Sequence, residues 1–510
     1  MCVAGLIALA LSLPVLSAPV LDVNKEVHDR RVSLAAGQTS NPAKGPTTTR
    51  SVVKPATTTT FPKKTPKLRS TKTPRLPPTS KLPAGCSRDL RQPSAIPNST
   101  ITHVPDEIPG RYTVVLDNSA DLRAHLTQLQ SFIDANKHCT TLNNTVDNTA
   151  DHSFLKFYAG KFDGRVLGYI SKIQGVQNLA RITHGSGPLL SGPAPATGPK
   201  SATSTDWTYS IGDGANGDGV AIYIVDSGIR TSHPEFTGRV VQPGTDYRVH
   251  GVPTTDDTVG HGDSFQTAVA SVAAGSSVGV ANKATLFPMR VLMEYTETET
   301  KTVKTKISED SVSGGISNAV DHYQRVWNGG RTSGVMKPVV INVSLWLRPD
   351  FLVKTVITAA INAGIHVVIC AGNQGGNYHL PDLGQITVGA TDIDDKKAGL
   401  SNFGPCVDIY APGASIEVAD LDSGLRVDDG TSFATSLVSG MVAATISSTG
   451  NMSPADMKKQ IIADAKGKMV DFTFANSQNH LALMEPKLTN LTRMSGFLHS
   501  RVWIGPKFDS

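Results

Sequence analysis

Ala221–Asp226 reads AIYIVD, a short continuous apolar run with glycine close by on both sides, closing on a carboxylate. A run without polar alternation suits a strand buried on both faces, as in a parallel sheet covered by helices. Working outward, similar runs occur at Val339–Leu345 (VVINVSL), His366–Ala371 (HVVICA) and Gln385–Ala390 (QITVGA). Helical segments are read between them at Thr267–Ala274, Ser311–Trp327 and Thr355–Gly364. Strands alternating with helices predict an α/β fold with a parallel sheet flanked by helices. In such sheets active residues gather where strands end at their carboxyl edge.

Three polar residues stand at the ends of apolar elements. Asp226 closes AIYIVD, His261 lies in GHG before a small-residue helix, and Ser432 lies near the start of GTSFATSLVSGMVAATIS. Each alone has a plain structural meaning: a turn-forming Asp, a structural His, an N-cap serine. Their joint occurrence points to chemistry. Amide hydrolysis needs a hydroxyl nucleophile, a base for its proton and a carboxylate that orients the base. Asp, His and Ser occur in that order, 35 and then 171 residues apart. Asn373, in AGNQGG after a third strand, suits an oxyanion donor, with the Ser432 N–H as the second.

These segments carry a family resemblance. IYIVDSGI, GHGDSF, VINVSLW, AGNQGG, SNFGPCVDIYAPG and DGTSFATS resemble those of the subtilases, and GVANKATLFPMRVL and NHLAL those of the proteinase K-like branch. The similarity runs from about Trp207 to Met484. It implies a subtilisin-like serine endopeptidase acting on protein or peptide substrates, with triad roles for Asp226, His261 and Ser432 and an oxyanion role for Asn373. No cofactor is required for that chemistry. Asp408, in CVDIYAPG, matches a calcium-ligand position of that branch, which leaves a structural calcium open beside the plain reading of a solvated or capped Asp.

Residues 96–184 form a separate small unit. RYTVVLD reads as a strand, Leu122–Ile133 as an amphipathic helix, FLKFYAGKFDG as strand and turn, and RVLGYISKIQGV as a second helix. The order predicts a small α+β sandwich, and the segment resembles the family's inhibitory propeptide, hence a zymogen. NLARITH (Asn178–His184) resembles residues usually inside the mature domain, so the junction looks rearranged, with cleavage placed in the 185–206 linker.

The remaining segments suit export. An apolar core from Val3 to Leu16 reads as a signal peptide over 1–17. Residues 18–95 read as disordered, with a Thr/Pro/Lys-rich stretch suited to an O-glycosylated stalk or a spacer. The catalytic domain is placed at 207–486 and a tail at 487–510. Net charge is +5, but Ala43–Lys81 alone holds ten Lys or Arg and no acid, so the rest carries −5 and shows no nucleic-acid footprint. No apolar run reaches the ~20 residues of a membrane span. Sequons at Asn98, Asn143, Asn451 and Asn490 agree with secretion, to the medium, a vacuole or the cell wall; the one at Asn342 falls in an expected buried strand. A Cys370–Cys406 bridge and a buried free Cys370 thiol are both open.

Several positions depart from the family pattern. Asp263, Ser264, Phe265, Gln266 and Thr267 follow His261-Gly262 where the family usually has Thr-His-Val-Ala-Gly. Ser344, Leu345, Trp346 and Leu347 replace Ser-Leu-Gly-Gly at the substrate-cleft edge, and Ser436 replaces a Pro. Two rival functions follow: a catalytically impaired binding or decoy protein of this fold, and a cell-surface structural protein with a glycosylated stalk.

Overall fold

A computed structural model of the chain describes residues 107–139, 142–183, 215–242, 248–249, 252–253, 264–291, 293–296, 303–326, 338–378, 380–420 and 424–465. The expected leader, Thr/Pro/Lys-rich stretch, linker, C-terminal tail and His261 lie outside the described residues.

The small unit comprises β1 (Glu107–Leu116), α1 (Leu122–Asn136), β2 (Thr145–His152), β3 (Leu155–Lys161), α2 (Gly164–Ile170) and β4 (Val176–Thr183). Its antiparallel sheet runs β2-β3-β1-β4. Both helices begin at an aspartate N-cap: Asp121 accepts from the Ala124 N–H, and Asp163 from those of Arg165 and Val166. Apolar residues of α1 at helical spacing (Leu122, Leu129, Ile133) pack on Val114, Leu116, Tyr158 and Leu179. The structure corrects two expectations here. The second helix stops at Ile170, and NLARIT is the fourth strand, paired antiparallel with β1. These residues therefore complete the small sheet. Their apolar content was legible, but the partner that makes them a strand is some 65 residues away.

The large unit is the expected α/β fold. Six parallel strands run in the order β14-β13-β12-β11-β5-β8. These are β5 (Ala221–Asp226), β8 (Thr285–Arg290), β11 (Val339–Val343), β12 (His366–Cys370), β13 (Ile386–Thr391) and β14 (Ile409–Pro412). Short hairpins lie outside it: β6–β7 (Arg248–Val249, Val252–Pro253), β9–β10 (Met293–Thr296, Val303–Lys306) and β15–β16 (Ile416–Ala419, Leu425–Asp428). The helices are α3 (Ser264–Ala274), α4 (Glu309–Val326), α5 (Phe351–Asn362), α6 (Thr431–Thr449) and α7 (Pro454–Asp464).

Alternation along β5 explains its unbroken apolar sequence. Ile222 and Ile224 enter the core with α3 and α6, whereas Ala221, Tyr223 and Val225 enter the core with α4 and α5. Every residue of α6 from Thr431 to Ile446 is buried, so this helix has no solvent face in that stretch. Its small residues permit close approach to α3. A Cβ at Gly440 would lie 2.7 Å from both the Ala273 carbonyl oxygen and the Val280 Cβ. Valine has the better helix propensity, yet overpacking outweighs it. Gly440→Val is expected to destabilise the protein by about 2 kcal/mol or more, read as a lowered melting temperature.

The small unit packs its open sheet face on α4. Val115, Ala150, Leu155 and Phe157 join the core of α4 and α5. The N-terminus of α4 supplies polar anchors. Asn148 Nδ2 donates to the Asp310 carbonyl and Oδ2, both at 3.2 Å, and Arg111 reaches Asp310 at 3.9 Å. Thr183 donates to Glu309, and His152 lies 3.3 Å from Asp321.

Candidate active site

The carboxyl ends of three neighbouring strands, together with the start of α6, build the site. At the end of β5, Asp226 is only 2% exposed and its Oδ1 accepts the Ser227 N–H at 2.9 Å. Its carbonyl accepts the Val291 N–H at 2.7 Å, tying this corner to β8. Thr267, one of the departures after His261, is buried in α3, and its Oγ1 accepts the Arg230 N–H at 3.3 Å. The larger residue is therefore absorbed by a contact to the loop that follows Asp226.

Ser432 is the second residue of α6 and fully buried. Its Oγ donates to the Ser344 carbonyl at 2.9 Å, and Ser344 Oγ donates back to the Ser432 carbonyl at 3.1 Å. Ser436, at the usual proline position, adds a 2.8 Å bond to the same carbonyl. Below, Asn342 Nδ2 donates to Ser344 Oγ at 3.0 Å, and its Oδ1 accepts Ser439 Oγ at 2.9 Å. A polar ladder thus locks β11 to α6 beneath the serine, and the Asn342 sequon is spent inside the core. A helix leaves its first four N–H groups without intrahelical acceptors, and the Ser432 N–H is among them.

Asn373 follows β12 through Gly372, whose φ of +96° suits glycine. Its Oδ1 accepts the Thr431 N–H at 3.0 Å and Thr431 Oγ1 at 2.6 Å. Only an oxygen can accept from that N–H, which fixes the amide orientation and turns Nδ2 away from Thr431. Sequence reading missed a further residue, Asn402. Its Oδ1 accepts the N–H groups of Gln374 (3.1 Å) and Gly376 (2.9 Å), and its Nδ2 donates to the Ala371 carbonyl at 2.7 Å. It holds the loop that carries Asn373. The quoted SNFG segment contained it, but nothing local tells where a buried Asn will point.

Of the residues expected at the cleft edge, Ser344 and Leu345 are buried and Trp346 is half-buried. A Cβ on Gly372 would stand 2.5 Å from Trp346 Cδ1, so the indole lies against the Asn373 loop. Cys370 at the end of β12 is a buried free thiol, while Cys406 is disulfide-bonded; the Cys370–Cys406 bridge left open is therefore not formed. Burial pushes the Cys370 thiol up to about 12, with Thr431 opposing and Asp226 adding to the rise, so it stays neutral.

Asp408 does not offer a calcium ion a site. Lys458 Nζ lies 2.9 Å from its Oδ2, so an ammonium already stands where a cation would bind. Among the described residues no group of three or more His, Cys, Asp or Glu could hold a metal.

A buried serine at a helix start, beside an asparagine amide and a buried strand-end carboxylate on one sheet edge, has the build of an α/β serine hydrolase. The subtilase family model matches residues 217–480. A subtilisin-like protease of Coccidioides posadasii (strain C735) is 31% identical over 369 residues, covering 67% of this chain and 83% of that protein. An extracellular serine proteinase of Thermus sp. (strain Rt41A) is 34% identical, over 52% of this chain and 58% of its own. Fervidolysin from Fervidobacterium pennivorans, a keratinolytic enzyme related to subtilisin, shares the fold with a TM-score of 0.51 at 17% identity, covering 77% of this chain and 62% of that one. The chain belongs to the subtilase family and is a serine-type peptide hydrolase. No described helix is long and apolar enough to cross a membrane.

Proposed function

We propose that the chain is a secreted serine endopeptidase made as a zymogen, with Asp226, His261 and Ser432 as its triad. The carrying observation is the pairing of Ser432 at the start of buried α6 with Asn373, whose amide Thr431 orients. His261 takes the Ser432 proton as the hydroxyl turns from the Ser344 carbonyl and attacks a peptide carbonyl. Asp226 holds the imidazole in the required tautomer. Asn373 Nδ2 and the Ser432 N–H receive the oxyanion, the protonated His261 then protonates the leaving amine, and water hydrolyses the acyl-enzyme. Trp346 supplies an aromatic wall at the cleft edge.

Residues 96–184 act as the inhibitory prodomain, supported by the buried apolar and polar seam that joins them to α4. The decisive measurement is the intact mass of the secreted protein beside that of its Ser432→Ala variant, with the N-terminus of each. Wild type starting between Gly185 and Asp206, with the variant uncut, is the expected result. Both chains remaining full length would overturn self-processing.

The seam also predicts a pH dependence. Burial, and then the nearby Asp350, raises the Glu309 carboxyl to about 8, and burial raises Asp350 to about 6. The docked state therefore favours protonated Glu309. Its contribution is complete below the ordinary carboxylate range and is lost as pH rises towards and through about 8. After cleavage and blocking of the serine, the 96–184 fragment is expected to bind roughly tenfold more weakly at pH 9 than at pH 6. Gel filtration at the two pH values checks this, and Glu309→Gln should flatten the difference.

A further inference from the structure

We infer that Lys458 is a built-in structural cation, its ammonium taking the place a calcium ion would have at Asp408. All three ammonium donors are used: Asp408 Oδ2 at 2.9 Å, Asp382 Oδ1 at 2.9 Å and the Gln385 carbonyl at 2.8 Å. The lysine side chain is 12% exposed and that of Asp408 15%, whereas Asp382 lies nearer the surface at 44%.

The acceptors come from distant parts of the chain. Asp408 precedes β14, Asp382 and Gln385 lie in the turn before β13, and Lys458 projects from α7. Asp408 Oδ2 also accepts the Thr387 N–H at 2.8 Å, and Asp382 Oδ1 accepts the Gly384 N–H at 2.9 Å. The Gln385 side chain closes the turn on itself, accepting the Leu383 N–H at 2.8 Å and donating to the Pro381 carbonyl at 3.0 Å. The turn is thus shaped to present oxygens to one central positive charge.

Calcium takes six to eight oxygens at about 2.3–2.6 Å and has to be supplied by the medium. A tethered ammonium gathers two carboxylates and a carbonyl without leaving the chain. It joins the edge of the main sheet to α7 whatever the calcium concentration. Burial raises the Asp408 carboxyl and Lys458 opposes that rise, so removing the lysine would leave its negative charge without a counter-ion.

Thermal melting of the full chain in a Ser432→Ala background, which prevents self-digestion, tests this. In chelator, adding Lys458→Ala is expected to lower the melting temperature by roughly 5 °C. Millimolar calcium should recover part of that loss, beyond any shift it gives the parent, because the vacated oxygens then accept a free cation. The recovery should vanish in Lys458→Ala/Asp408→Asn. A Lys458→Ala variant that melts with its parent in chelator would overturn the inference. So would a loss that calcium leaves untouched, since that makes the lysine an ordinary packing contact. Should Lys458→Ala not accumulate folded, Asp382→Asn removes the more exposed carboxylate and should lower the melting temperature by a few degrees; no shift there would likewise overturn it.

Discussion

Ser432→Ala is expected to lower kcat by on the order of 10⁶-fold while leaving the fold intact. The side chain removed is small, and alanine is the best helix former, so the first turn of α6 tolerates the change. The serine carbonyl remains held by Ser344 and Ser436, which keeps the backbone N–H aimed as before. Among the described residues, the bond lost is that from Ser432 Oγ to the Ser344 carbonyl. Steady-state hydrolysis of a chromogenic peptide, beside a melting curve, separates lost chemistry from lost structure. Near-normal turnover with unchanged melting would mean that another residue is the nucleophile, and the triad assignment would fall.

Asn373→Asp is expected to lower kcat by roughly 10²–10³-fold with little change in KM. Aspartate keeps the oxygen that accepts from Thr431 N–H and Oγ1, so the loop should hold its position. What disappears is the Nδ2 donor, replaced by an oxygen that repels developing negative charge. Because the oxyanion exists only along the reaction path, the loss should fall on kcat. A rise in KM at constant kcat would instead assign Asn373 to ground-state binding. Asn402→Leu offers a comparison, since its four hydrogen bonds support the same loop without reaching the oxyanion.

The two predictions differ in how far ahead of the structure they could be made. GTSFATS before a run of small residues reads as a tightly packed helix start, and its occurrence together with Asp226 and His261 marked Ser432 as the candidate nucleophile. Asn373 was marked by its strand and glycine. The orientation of its amide needed Thr431, 58 residues away, and the support from Asn402 needed the return of a loop. Sequence pattern names the candidate side chains; only a long-range contact says which atom of Asn373 is left to donate.

The same division holds for the whole chain. Sequence by itself determined the α/β class, strands within the runs AIYIVD, VVINVSL, HVVICA and QITVGA, and the small unit before them, because burial on two faces leaves continuous apolar runs that need no partner to be read. Tertiary structure decided that NLARIT is a strand, since antiparallel pairing with β1 supplies the hydrogen bonds that its local sequence cannot. It also left Cys370 unpaired in the core and gave Asp408 a lysine for a partner. Those outcomes depend on which groups meet across the fold, and a carboxylate carries no mark in sequence of the cation it will face.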